Sequence, residues 1–193
     1  MKKLVFMLIP FTLAACQWLP NKEQKLTEAS SPPNTLTSQA QETEQPERRS
    51  TKNYFGLEDE LLSVESQSSR AARKVLSEGR RMALAEQKII RGSCWDYVNT
   101  VFRRAGYANK LETVFDSPKY RGRYAKASQI KPGDWLYYIN HSYNGIEHSA
   151  IFIDWVDKKH ALMLSYAGEG RRKPARYLTY DLSHVYKIVR AVD

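Results

Sequence analysis

The chain has 193 residues, 26% of them charged, with a formal net charge of +9 and only two cysteines. That cysteine count excludes a zinc-type cysteine cluster, and no internal repeat divides the chain. The cationic surplus favours an anionic partner.

Lys2 and Lys3 precede a short apolar run that ends in Leu13-Ala14-Ala15-Cys16. The run is too short to persist as a spanning helix, and small residues before a cysteine suit cleavage, so 1–15 reads as a lipoprotein signal peptide. Cys16 is then the lipidated first residue of the mature chain, an acylation of the palmitate type. Gln17 follows it in place of Asp, which points to the periplasmic face of the outer membrane in a Gram-negative cell.

Residues 16–50 are rich in Gln, Glu, Ser, Thr and Pro, with Trp18, Leu19, Leu26 and Leu36 as isolated large apolar residues. Such a segment buries too little surface to fold and reads as a disordered tether reaching some tens of ångströms. The remaining stretch, 51–193, is the right size for one domain. Lys2 and Lys3 carry +2 and the segment 16–50 nets −1, so +8 falls on that domain. In this compartment the anionic partners are peptidoglycan carboxylates or lipid head groups; nucleic acid fits the charge but not the location.

Within the domain, Leu57, Leu61, Val64, Ala71, Val75, Leu76, Met82 and Ile89 recur near helical spacing, which predicts an N-terminal helical extension over about 57–90, divided at Gly79. Arg70, Arg73, Arg80 and Arg81 fall on its solvated face. Arg91-Gly92 breaks the pattern, and Ser93 with Asp96 three residues later is a capping pair. The helix it starts turns Val98, Val101, Phe102 and Ala105 inward and stops at Arg103-Arg104-Ala105-Gly106.

This placement puts Cys94, the remaining thiol, on the first helical turn. The helix dipole and free N–H groups there favour a thiolate, and Asp96 opposes it. A free cysteine is also commonly a small buried hydrophobe, which is the competing reading.

Residues 107–129 lack periodicity and read as a surface loop. Tyr120 and Tyr124 stand among basic residues there, as substrate contacts or as anchors of the loop. Beyond the Pro132-Gly133-Asp134 turn, strands are predicted over 135–139, 148–156, 160–167 and 185–192, with a polar Gly-Glu-Gly-Arg-Arg loop at 168–172. The fold class is therefore α+β, with a helix that carries the cysteine packed on an antiparallel sheet.

Cysteine catalysis needs an imidazole beside the sulfur and a polar group that orients the ring. Of the four histidines, His148 opens a strand where a side chain can face a helix N-terminus; His141 and His184 lie in polar connections. A turn near Asp157-Lys158 sets residue 148 opposite 167 and residue 150 opposite 165. His160 then lies about 23 Å along the strand from His148 and cannot orient it. Ser165 is the third candidate, with Tyr166 and Glu169 as alternatives.

Gly92-Ser93-Cys94-Trp95-Asp96-Tyr97-Val98, with Phe102-Arg103-Arg104-Ala105-Gly106, resembles the nucleophile helix of the NlpC family of papain-like cell-wall cysteine peptidases. The segment from Ile130 through Pro132-Gly133-Asp134 to Tyr138, then His148-Ser149-Ala150-Ile151-Phe152-Ile153, is similar to that family's turn and histidine strand. The resemblance covers about 90–167, and the CHAP-type amidases share the architecture. It implies a papain-like fold and hydrolysis of amide bonds in peptidoglycan stem peptides, with no cofactor or metal. Cys94 is then the nucleophile, His148 the base and later the acid, and a polar residue on the next strand, Ser165 here, the third member. Ser93, Trp95, Tyr120 and Tyr124 are the expected substrate contacts. The family commonly has Asp before the nucleophile, helping to recognise a free amino end, whereas this chain has Ser93. Two other readings use the same fold: an inactive peptidoglycan-binding or scaffolding lipoprotein, and an acyltransferase.

Overall fold

In the computed structural model, residues 46–141 and 144–193 are described, with side chains from residue 56 onward. The signal segment, Cys16 and most of the tether lie outside the described residues.

Among the described residues three α-helices precede or flank a sheet: α1 (Pro46–Gln67), α2 (Arg70–Arg80) and α3 (Cys94–Arg104). Six strands come after α3: β1 (Leu111–Asp116), β2 (Trp135–Asn140), β3 (Ile146–Trp155), β4 (His160–Ser165), β5 (Arg176–Asp181) and β6 (Val185–Ala191). They form one antiparallel sheet in the order β1-β6-β2-β3-β4-β5, so the architecture is mixed α+β.

The predicted helix over 57–90 is two helices, and the break lies at Ser68-Ser69 and not at Gly79. Ser69 accepts a hydrogen bond from Ala72 N–H at 3.3 Å and starts α2. Arg73 reaches back to the Glu65, Ser66 and Ser68 carbonyls at 3.1–3.2 Å and closes the end of α1. Gly79 stays helical because α2 lies close against the sheet there: a Cβ would sit 2.6 Å from Leu164 Cδ2. The helix continues as a π-turn, Arg81–Ala85, and ends before Gln87 at φ 47.

Arg80 and Arg81 are not merely solvated. Arg80 holds the buried Glu65 at 2.7 Å, tying α2 to α1, and Arg81 and Arg104 share Glu78 and Glu86.

Two strands escaped the sequence reading. β1 is mostly exposed, and a bulge between Thr113 and Phe115 interrupts its alternation. β5 is a partly exposed edge strand between the 168–172 loop and residue 185, where no element is predicted. The expected β3–β4 register holds, since Ile151 pairs with Leu164 and Phe152 with Met163.

Both faces of the sheet are covered. Ile151 and Ile153 of β3 join the core made with Ala71, Val75, Leu76, Val98, Val101 and Phe102 of the helices. Ala150 and Phe152 join a second core on the other face with Leu136, Tyr138, Met163 and Ile188. Phe115 of β1 and Tyr180 of β5, from opposite edges, pack on that second core, so the sheet curls around it. Each buried aliphatic side chain contributes about 1.5–3 kcal/mol over leaving it exposed.

The Pro132-Gly133-Asp134 turn is fixed twice. Asp134 is fully buried, ion-paired to Arg190 at 2.7 Å, and accepts from Lys131 N–H at 2.8 Å. Gly133 has φ 85, and a Cβ there would lie 2.9 Å from Ala72 Cα and Cβ in α2. Gly133→Ala therefore strains the backbone and drives α2 off the turn; the expected destabilisation is about 2–4 kcal/mol in urea unfolding.

Candidate active site

The capping reading at the start of α3 holds in detail. Ser93 N–H and Ser93 Oγ both donate to Asp96 Oδ2, at 2.7 and 2.8 Å. These bonds hold the Asp96 carboxyl below its ordinary value, the backbone bond from Ser93 acting most strongly. Cys94 is the first residue of α3 and is partly exposed.

The segment after β4 packs onto this helix start. Glu169 N–H donates to Gly92 O at 2.9 Å, and a Cβ on Gly168 (φ 91) would stand 3.3 Å from that same oxygen. A cleft of about 800 Å³ opens where this segment, the start of α3 and the ends of β2, β3, β4 and β5 meet. Ser93, Cys94, Asn140, His148, Ser165 and Tyr180 all line it.

Within the cleft His148 Nε2 meets Ser165 Oγ at 2.8 Å, and Ser165 Oγ meets Tyr180 OH at 2.8 Å. The imidazole also packs edge-on against Tyr138, with ring centroids 5.6 Å apart, and lies 5.7 Å from Tyr180. Burial lowers the His148 pKa to about 4, so the ring is neutral at neutral pH. Among the described residues Nδ1 has no hydrogen-bond partner.

Alternation along β3 separates the two residues that follow Glu147. Ser149 shares the helix-side face with Ile151, and its hydroxyl donates to Cys94 Sγ at 3.6 Å. His148 shares the opposite face with Ala150 and joins the cleft at the strand's open end. Among the described residues no hydrogen bond joins Cys94 to His148.

Of the alternatives for the third position, Tyr166 is committed elsewhere: its hydroxyl donates to Ile90 O at 2.7 Å, and its ring stacks on Tyr97 at 4.7 Å. Glu169 contributes its backbone N–H to Gly92. His160 is bound to Asp157 at 2.8 Å, and His141 and His184 pack on each other at 4.2 Å.

Of the expected substrate contacts, Ser93 lines the cleft, while Trp95, Tyr120 and Tyr124 lie outside its lining. Trp95 is half exposed, rests against Trp135 and donates to Tyr137 OH at 3.1 Å. Tyr120 is exposed beneath Lys119. Tyr124 bonds Lys119 O at 3.3 Å and packs on His184, so it anchors its loop.

Ser149, Tyr180 and Asn140 were not singled out by sequence. Period-2 alternation along β3 would have assigned Ser149 to the face opposite His148. Tyr180 sits on β5, the strand that was missed.

The lowered His148 pKa has a measurable consequence. Between the ordinary imidazole value and about 4 the unfolded chain binds a proton that the folded chain refuses. Stability is therefore full above that window and falls as pH drops through it, by about 3 kcal/mol. His148→Gln should lack this component, read as the difference between the two proteins' urea-unfolding free energies at about pH 7 and about pH 4. No family model, no curated protein and no solved structure matches this chain.

Proposed function

We propose that this chain is a cysteine hydrolase of the papain-like NlpC type, cleaving amide bonds in peptidoglycan stem peptides. One observation carries the reading. A partly exposed cysteine at a helix N-terminus shares a cleft with a neutral histidine whose Nε2 is fixed by Ser165 and whose Nδ1 is left open.

The chemistry follows from those positions. His148 takes the Cys94 proton at Nδ1 as the sulfur attacks the amide carbonyl carbon, once the thiol turns from Ser149 toward the ring. The Cys94 backbone N–H, free at the helix start, is placed to receive the developing oxyanion. His148 then returns the proton to the leaving amine, and water, deprotonated by the same ring, releases the acid from the thioester. Ser165, backed by Tyr180, holds the ring through both proton transfers. Lipidation at Cys16 would keep this domain at the outer membrane, within reach of the wall.

A second reading, a wall-binding lipoprotein with an idle site, is favoured by the sulfur's bond to Ser149 in place of His148. Digestion of purified peptidoglycan by the protein and its Cys94→Ala variant, read by mass spectrometry, separates the two. Hydrolysis by the first alone is the expected result; sedimentation of both with an uncut wall would establish the binding module.

His148→Ala should lower kcat by about 10²–10⁴-fold. Ser165→Ala, which leaves the ring in place but unfastened, should lower it by about 10–100-fold with KM little changed. Steady-state kinetics on a purified muropeptide checks both.

A further inference from the structure

Ser149 interrupts the chemistry of its strand. Further along the same face of β3, Ile151 and Ile153 are buried aliphatic side chains, whereas Ser149 is also buried and carries a hydroxyl. The ladder sets its place: it stands directly across from Tyr137 of β2, and the next two residues, Ala150 and Ile151, pair with Leu136 and Trp135. A buried hydroxyl nearly always finds an acceptor. Among the described residues this one has a single partner, the Cys94 sulfur at 3.6 Å.

The identity of that acceptor gives the bond its consequence. Neutral sulfur accepts a hydrogen bond weakly, and an ionised acceptor binds a donor more strongly and at shorter range. The bond from Ser149 therefore strengthens as negative charge gathers on the sulfur. Because the hydroxyl donates and the sulfur accepts, the S–H bond is left free to swing toward His148. The strand fixes the donor, and the capped start of α3 fixes the acceptor.

We propose that Ser149 is a positioning residue for the nucleophile: its hydroxyl holds the Cys94 sulfur at the cleft and steadies the negative charge that gathers there. Its part in turnover rests on the hydrolase reading above; its effect on the sulfur does not. As the S–H bond breaks, the proton forms an N–H bond at His148 Nδ1, the electron pair stays on the sulfur, and Ser149 keeps its own proton. The hydroxyl acts through Cys94 alone. The bond that speaks for an idle site in the resting molecule thereby belongs to the working one.

The test reads the sulfur first and turnover second. The full-length chain in detergent is treated with iodoacetamide at about pH 7, and alkylation of Cys94 is followed by peptide mass spectrometry. Ser149→Ala should slow the reaction about tenfold, and Ser149→Thr, which keeps a hydroxyl, should recover most of the rate. The loss should persist in a His148→Gln background, since the hydroxyl acts on the sulfur itself. On a purified muropeptide Ser149→Ala should lower kcat by about the same factor with KM little changed. Alkylation of Ser149→Ala at the unaltered rate or faster, or a Ser149→Thr protein no quicker than Ser149→Ala, overturns the inference. Slowed alkylation in a chain that cuts no wall peptide sustains the donor and sinks the hydrolase reading. Cutting by a Ser149→Ala protein whose alkylation and kcat are both unchanged does the reverse.

Discussion

The strict alternation of side chains along β3 is the constraint on which the molecule turns. The strand is buried on both faces, with Ile151 and Ile153 against the helices and Ala150 and Phe152 against the curled sheet's own interior. A slip of one residue would exchange those sets and put the wrong shapes into both cores. Ser149 is thereby bound to the thiol's side and His148 to the other. Cys94 and His148 line the same cleft because it lies at the end of the strand, where neither face is closed off.

The second constraint is the seat of α3. Cys94 keeps its place because the capping residues before it, the Gly92 carbonyl and the Tyr166 hydroxyl all lock the approach to the helix. The Tyr166 phenol gives and receives a hydrogen bond with the Ile90 backbone, so the residue that follows β4 fastens the approach to α3. The thiol thus stands on a fixed base, with its sulfur the adjustable part.

How much of this was legible in the sequence depended on whether the signal was local. Ser93 and Asp96 gave the start of α3, and the positions of the turn and the strands around it gave the β3–β4 register, because both are set by residues a few positions apart. The pairing of His148 with Ser165 followed from that register. The break between α1 and α2 was misplaced because Gly79 reads as a breaker, while its actual role is to let a helix approach Leu164, a tertiary fact. β1 and β5 were invisible for a related reason: as edge strands they bury too little to show alternation, and a bulge blurs β1 further. Missing β5 also hid Tyr180. The expected roles for Tyr120 and Tyr124 came from aromatic and basic composition, which does not say which way a loop faces.

The segment between β4 and β5 is anchored through main-chain atoms: Glu169 N–H to Gly92 O, with its own tight turn closed by backbone bonds at Arg171 and Arg172. Main-chain bonds are indifferent to the side chains they carry. The bonds that hold this segment against the start of α3 therefore survive changes in the side chains it carries. Related sequences should therefore vary more in the side chains at 171 and 172 than in the backbone at 92 and 168.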